Sequence, residues 1–188
     1  MKKRKAVFLD RDGTIIVHEH YLSSPDQLKL SPNASQGIRL FKEHGYLAIV
    51  ITNQSGIARG FFDEERLMLI HEKLTNMLKN EGVLIDDWYY CPHHTEGVIE
   101  HYKVDCDCRK PKPGLILSAA RKHHIDLAQS LMIGDAETDM LAGKNAGCTS
   151  ILIRNVCTES TNTASISGMD YVVKDLLEAA QLFIRLKN

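Results

Sequence analysis

Three strand-length apolar runs each stop on a residue with chemistry to offer. Lys5 to Asp10 ends in a carboxylate, Tyr46 to Thr52 (YLAIVIT) in a hydroxyl, and Ser130 to Asp135 (SLMIGD) in a second carboxylate. Runs that are apolar throughout, rather than at alternate positions, suit parallel strands covered on both faces. Shorter strand candidates are Trp88 to Cys91, Thr149 to Arg154 and Tyr171 to Val173. Helical patterns lie between them. One opens at Ser31-Pro32-Asn33, carries Ile38, Leu40 and Phe41, and ends near Gly45. A second starts at Phe62-Asp63-Glu64-Glu65 and runs through Leu67, Ile70, Leu74 and Leu78 to about Lys79. Others run from Pro113-Gly114 to His123, from Thr138 to Ala146 with Gly147 as the stop, and from Leu176 to Leu186. Acids in first turns and glycine after last turns are the ordinary helix boundaries.

Strand alternates with helix along the chain. The expected fold is α/β, doubly wound, with a mainly parallel sheet. A length of 188 residues suits one domain, residues 1–188. In such sheets ligands bind beyond the carboxyl ends of the strands. That rule draws Asp10, Thr52, Cys91 and Asp135 toward one place.

The formal net charge of −1 gives no global electrostatic case for nucleic acid or a membrane surface. The basic start MKKRK is followed by an apolar run, Ala6 to Leu9, too short for a signal peptide. No stretch is long and apolar enough to span a bilayer. The expectation is a cytoplasmic protein.

Asp10-Arg11-Asp12-Gly13-Thr14 follows the first run directly. A carboxylate nucleophile forms an acyl phosphate and so splits one hard displacement into two easier ones. A second carboxylate two residues on can reach the leaving oxygen, and Gly13 lets the backbone leave the strand abruptly. A lone pair of this kind serves equally well as a helix cap or an Asx turn. The other strand ends decide against that. Thr52, Asn53, Gln54 and Ser55 offer hydroxyl and amide donors for phosphate oxygens. Arg109 and Lys110 supply two adjacent cations to disperse charge on a transferring phosphoryl group. Asp135, with Asp139 four residues on, adds a carboxylate for Mg2+, which favours one or two carboxylates with water and phosphate oxygens.

Residues 92 to 112 are polar, rich in His, Cys and Lys, and have no clear period. Cys91-Pro92-His93 and Cys106-Asp107-Cys108 frame a loop at about 91–108 in the pattern C-x-H…C-x-C. Three thiolates and one imidazole are a tetrahedral set for structural Zn2+. His94 and His101 are spare imidazoles, so spacing leaves the histidine ligand open. Arg109 and Lys110 follow Cys108 directly, so a zinc clip there would aim both cations.

The succession DRDGT, apolar-TN, Lys, GDxxxD resembles the four motifs of the haloacid dehalogenase superfamily, in order, over residues 5 to about 155. The resemblance implies Asp10 as nucleophile and Mg2+ ligand. It implies Asp12 as general acid/base, with its backbone carbonyl on the metal. Thr52 and Lys110 would hold the phosphoryl group, and Asp135 would complete the metal site with Asp139 as support. CPHH…CDCRKPKPG and TNQSGIARG are more specific. They resemble the heptose bisphosphate phosphatases and the related histidinol-phosphate phosphatase branch, small members with reduced caps and a zinc loop. Ser55 to Gly60 is more similar to the heptose branch. Its members remove the 7-phosphate of D-glycero-D-manno-heptose 1,7-bisphosphate on the way to lipopolysaccharide or other glycan precursors. Histidinol phosphate is the alternative substrate. The chain departs from the pattern at Ile16, where relatives often carry Asn, and over residues 18 to 21, where only Tyr21 matches. It departs again at Ala136, where Lys is common. Tyr21 belongs to a stretch that touches substrate in that family. A nucleic-acid 3′-phosphatase shares the general motifs, but the chain lacks the basic excess. A small phosphorylated sugar is the expected partner, and a monomer the expected state.

Other features carry simpler readings. His123-His124 reads as a solvated or capping pair at a helix end. Cys148 reads as a small core residue, Cys157 as unpartnered, and residues 157–168 as a Ser/Thr-rich loop. Met68 and Met77 read as core fillers at helical spacing.

Overall fold

A computed structural model describes residues 3–18, 21–154 and 166–187. The strands are β1 (Lys5–Leu9), β2 (Tyr46–Asn53), β3 (Asp87–Cys91), β4 (Leu131–Gly134), β5 (Thr149–Ile153) and β6 (Tyr171–Val173). They form one sheet in the order β3-β2-β1-β4-β5-β6. Every pairing is parallel, so the sheet is more uniform than the mainly parallel one expected. The helices are α1 (Ala34–Glu43), α2 (Ser55–Ala58), α3 (Glu64–Asn80), α4 (Gly114–His123), α5 (Glu137–Ala146) and α6 (Leu176–Lys187).

The uninterrupted apolar runs have the predicted cause. Along β1, Val7 and Leu9 join a cluster with Ile38, Phe41, Ile70, Leu74 and Phe183, on the face covered by α1, α3 and α6. Ala6 and Phe8 point the other way, into a cluster with Leu115, Ile116, Ala119 and Ala142 from α4 and α5. A strand buried on both faces has no position for an exposed polar side chain. Each fully buried Leu, Ile or Phe contributes about 1.5–3 kcal/mol. The body of the sheet is thus apolar, and polar chemistry is confined to the strand ends.

Chain order reverses between β1 and β4, which are neighbours, β1 being followed in sequence by β2 on its other side. A crevice opens at such a switch point, beyond the carboxyl ends of the two strands. Asp10 follows β1 and Asp135 follows β4, so the fold itself places these carboxylates at the crevice.

Several local readings hold. Asp63 caps α3 by accepting from the Arg66 amide at 2.8 Å. Gly147 closes α5 in the left-handed region at φ 85°. His124 takes the left-handed C-cap position of α4, and His123 Nε2 lies 2.7 Å from Asp87 Oδ2. Cys148 is buried against the second cluster. Met68 is corrected: it is 45% exposed. It lies one residue beyond Leu67, about 100° around the helix from the buried stripe. Met77 packs against the core as read. Cys157 and most of the Ser/Thr-rich loop lie outside the described residues.

Candidate active site

The chain leaves β1 through a tight turn in which the Ile15 and Ile16 amides both donate to the Arg11 carbonyl at 3.0 Å. Gly13 sits in this turn at φ 78°. A Cβ there would fall 1.9 Å from Asp135 Oδ2, so the absent side chain is the space Asp135 occupies. Gly134 does the same for Asp139, whose carboxylate would meet an added Cβ at 2.3 Å. Two glycines thus let carboxylates from β4 and α5 close on Asp10.

Lys110 Nζ reaches into this group. It lies 2.6 Å from Asp10 Oδ1 and 2.5 Å from Asp139 Oδ1, and donates to the Ile51 carbonyl at 3.0 Å. Lys110 and Asp139 are buried, and Asp10 is nearly so. Burial pushes the Asp10 carboxyl well above its ordinary value, Asp139 and Asp12 push it further, and Lys110 opposes them. The two carboxylates hold the Lys110 ammonium charged and raise its pKa against the cost of burial. Desolvation among the strand ends, then the Asp139 carboxylate, lifts Asp135 to about 6, although its outer edge is open to solvent.

Asp10, Asp135 and Asp139 each offer an oxygen within 4.8 Å of the others. Three carboxylates face one ammonium, so the group carries excess negative charge and hard oxygen donors. That donor set fits Mg2+. Asp139 is already engaged, by Lys110 and by the Ala136 amide, which donates to its Oδ2 at 3.1 Å. With both of its oxygens taken, Asp139 has less to offer a cation than Asp135 or than Asp10, whose Oδ1 meets Lys110.

Asp12 is held from the other side. Arg11 donates to it through Nε at 3.1 Å and Nη2 at 3.0 Å, a two-pronged grip, and Gln54 Nε2 donates to its Oδ2 at 3.0 Å. The same Gln54 nitrogen donates to Thr52 Oγ1 at 2.8 Å. The strand-end donors are therefore partly spent on the protein. Asn53 is bound to the backbone of Lys110 at both its amide and its carbonyl. A cleft of about 240 Å³ opens above, lined by Asp12, His18, Tyr21, Asn53, Gln54 and Ser55, among others. The Tyr21 ring meets Phe61 edge-on at 4.5 Å between centroids.

The four loop residues converge. Cys108 Sγ lies 3.2 Å from both Cys91 Sγ and Cys106 Sγ, and Cys91 Sγ lies 3.5 Å from Cys106 Sγ. His93 Nδ1 is 3.4 Å from Cys108 Sγ. These separations are far too long for a disulfide, and the four ligand atoms lie within 4.8 Å of one another, a cluster that could hold a metal ion. His93 is the histidine that geometry selects. His94 instead lies 3.3 Å from Arg59 Nη2, and His101 packs on Tyr102. Arg109 Nη1 donates to the His93 carbonyl at 3.3 Å, which ties that cation to the Cys/His loop.

Two residues linked to Asp12 by hydrogen bonds escaped sequence reading. Arg11 drew no reading of its own from the sequence, yet it is 1% exposed. His71 is hidden in the apolar stripe of α3, where a polar residue on the buried face was the available signal.

A buried lysine paired to a strand-end aspartate, at the switch point of a parallel sheet and beside carboxylates from the next strand, defines a haloacid dehalogenase-type hydrolase. The family model described as HAD-hydrolase-like matches residues 107–179. D-glycero-beta-D-manno-heptose-1,7-bisphosphate 7-phosphatase of Pasteurella multocida is 40% identical over 98% of this chain and 100% of its own. The corresponding alpha-heptose enzyme of Photorhabdus laumondii is 36% identical over 94% of this chain and 98% of its own. Among solved structures, D,D-heptose 1,7-bisphosphate phosphatase from B. bronchiseptica, complexed with magnesium and phosphate, superposes with a TM-score of 0.81. It is 30% identical over 97% of this chain and 99% of that one. The chain belongs to the D-glycero-D-manno-heptose 1,7-bisphosphate 7-phosphatase family of phosphoric monoester hydrolases.

Proposed function

We propose that this protein removes the 7-phosphate of D-glycero-D-manno-heptose 1,7-bisphosphate through an aspartyl-phosphate on Asp10, in the supply of activated heptose for lipopolysaccharide or related glycans. The observation that carries the reading is the 2.6 Å contact between Asp10 and the buried Lys110, just beyond the carboxyl end of β1. It sets a nucleophile beside a fixed positive charge, where negative charge develops as phosphorus is transferred.

Asp10 attacks phosphorus and the bond to the sugar oxygen breaks. Asp12 gives that oxygen its proton, then takes one from the water that releases phosphate. Lys110 and Thr52 hold the phosphoryl oxygens, and Arg109 adds charge from the loop side. Asn53, Gln54, Ser55 and Tyr21 form the wall that meets the sugar. Asp10, the Asp12 carbonyl and Asp135 would hold Mg2+, which supplies charge neutralisation on the phosphoryl group. Cys91, His93, Cys106 and Cys108 would hold a structural Zn2+ that fixes the backbone leading into Arg109 and Lys110. The protein acts as a monomeric, single-domain cytoplasmic enzyme; among the described residues no helix is long and apolar enough to cross a membrane.

The test is phosphate release with Mg2+ from both anomers of the heptose bisphosphate and from histidinol phosphate, side by side. The expected result is fastest release from a heptose bisphosphate, with heptose 1-phosphate as product. Faster turnover of histidinol phosphate would overturn the substrate assignment.

A further inference from the structure

We propose that His71 is a positioning residue for proton transfer: it fixes Arg11, and Arg11 fixes the Asp12 carboxylate. The inference rests on the reading of Asp12 as acid and base.

Arg11 is 1% exposed, so water cannot satisfy its guanidinium. Its donors are shared among three partners. Nε and Nη2 grip Asp12, Nη2 also donates to Gln54 Oε1 at 3.1 Å, and Nη1 lies 3.3 Å from His71 Nε2. Arginine has no acceptor, so Nε2 must accept and the ring must carry its proton on Nδ1. Burial, then the Arg11 charge, holds His71 down to about 3, which agrees with a neutral ring. The ring itself cannot turn freely. It stacks on Trp88 of β3 at 4.6 Å and 28°, and meets the Tyr90 ring edge-on at 6.2 Å. A rigid chain of contacts therefore runs from the sheet edge through His71 and Arg11 to Asp12.

The grip has a chemical consequence. As the bond from phosphorus to the sugar oxygen breaks, that oxygen receives the bonding pair and the Asp12 proton. Asp12 becomes a carboxylate, and the Arg11 fork stabilises the charge formed. In the second half-reaction the carboxylate takes a proton from the attacking water and the cycle closes. Without an acceptor for Nη1 the guanidinium can rotate, and the carboxylate is less well aimed and less stabilised.

The experiment compares kcat/KM for the heptose bisphosphate, a poor alkoxide leaving group, with that for p-nitrophenyl phosphate, which leaves without protonation. His71→Phe keeps the stack on Trp88 and removes the acceptor. It is expected to lower kcat/KM for the alkyl substrate about tenfold and for the aryl substrate less than about twofold. His71→Gln, whose amide oxygen can accept, is expected to restore the alkyl value to within about threefold of wild type. Arg11→Lys, which keeps the charge but cannot fork, must show the same leaving-group signature and provides a second route should His71→Phe fail to fold. Equal losses on both substrates, or none, would overturn the inference. Asp12→Asn is the reference. If it lacks leaving-group dependence, the acid reading of Asp12 falls and this inference with it. If it has that dependence and neither His71→Phe nor Arg11→Lys does, the inference alone is wrong.

Discussion

Asn53 holds Lys110 by the backbone at both ends of one residue. Its amide nitrogen donates to the Lys110 carbonyl, and its oxygen accepts from the Lys110 N–H, each at 3.1 Å. The end of β2 thus sets where the lysine begins its reach to Asp10. Asn53→Asp keeps the size but loses the donor and places a carboxylate against a carbonyl. The expected result is a fall in kcat of about tenfold, with a smaller change in KM and an unchanged circular dichroism spectrum. An unaltered kcat would show that Lys110 is placed without Asn53.

The loop framed by Cys91 and Cys108 is the second support of Lys110 in the proposed mechanism. Residues 92–112 contribute little to either apolar cluster, so the proposed zinc would do there what burial does elsewhere. The protein is expected to carry one zinc per chain by elemental analysis. Cys108→Ser and His93→Asn should lose at least about 90% of it, together with most of the activity. His94→Asn should keep both, because His94 lies with Arg59. Normal kinetics in a zinc-free protein would contradict the role given to the loop.

Gly13 is where local geometry can be broken with one carbon. Its φ of 78° already disfavours any side chain, and a Cβ would overlap Asp135. Gly13→Ala is expected to cost roughly 1–2 kcal/mol in denaturant unfolding from backbone strain alone. Activity should fall with it and should not be recovered by raising Mg2+, because Asp135 would have to move. A fully active, equally stable variant would show that the turn relaxes.

His71 gives a pH dependence of known sign. The unfolded chain protonates this ring near its ordinary value of 6.5, whereas burial and Arg11 delay protonation in the folded protein to about 3. Between those values the unfolded state binds more protons, so stability falls as pH falls. The contribution is fully present above pH 6.5 and shrinks below it by at most about 1.4 kcal/mol per pH unit. Thermal unfolding from about pH 6.5 down to 4.5 should therefore show a shallower loss of Tm for His71→Gln than for wild type. Parallel curves would mean that the folded protein accepts the His71 proton readily.

The sheet was legible because a strand covered on both faces must be apolar throughout, as β1 and β2 are. The convergence of the candidate site residues was legible where strand ends and paired spacings brought like donors together. Asp10 and Asp135 end neighbouring strands and the three loop cysteines stand at paired spacings, and in the structure each set does come together. Amides are different. Asn53 and Gln54 can face substrate or protein equally well, and spacing does not distinguish these. Here their side chains bind Lys110, Asp12 and Thr52. Arg109 is of the same kind: a guanidinium read as a phosphate clamp also grips the His93 carbonyl. The order of strands, which brings β4 beside β1, depends on packing between segments more than a hundred residues apart. His71 was overlooked for the opposite reason, as one polar ring in a stripe that Leu67, Ile70, Leu74 and Leu78 already explain.

The central claim is that Asp10 carries the phosphoryl group, and trapping it is the most direct test. Asp12→Asn should slow attack by water and let the intermediate accumulate. Acid quench of that variant during reaction with p-nitrophenyl phosphate, whose leaving group needs no proton, and Mg2+, followed by peptide mass spectrometry, is expected to find phosphate on Asp10. Asp10→Asn should remain folded, carry no phosphate, and lose turnover by a factor on the order of 10³ or more. Absence of phosphate from Asp10, together with substantial turnover by Asp10→Asn, would contradict the account.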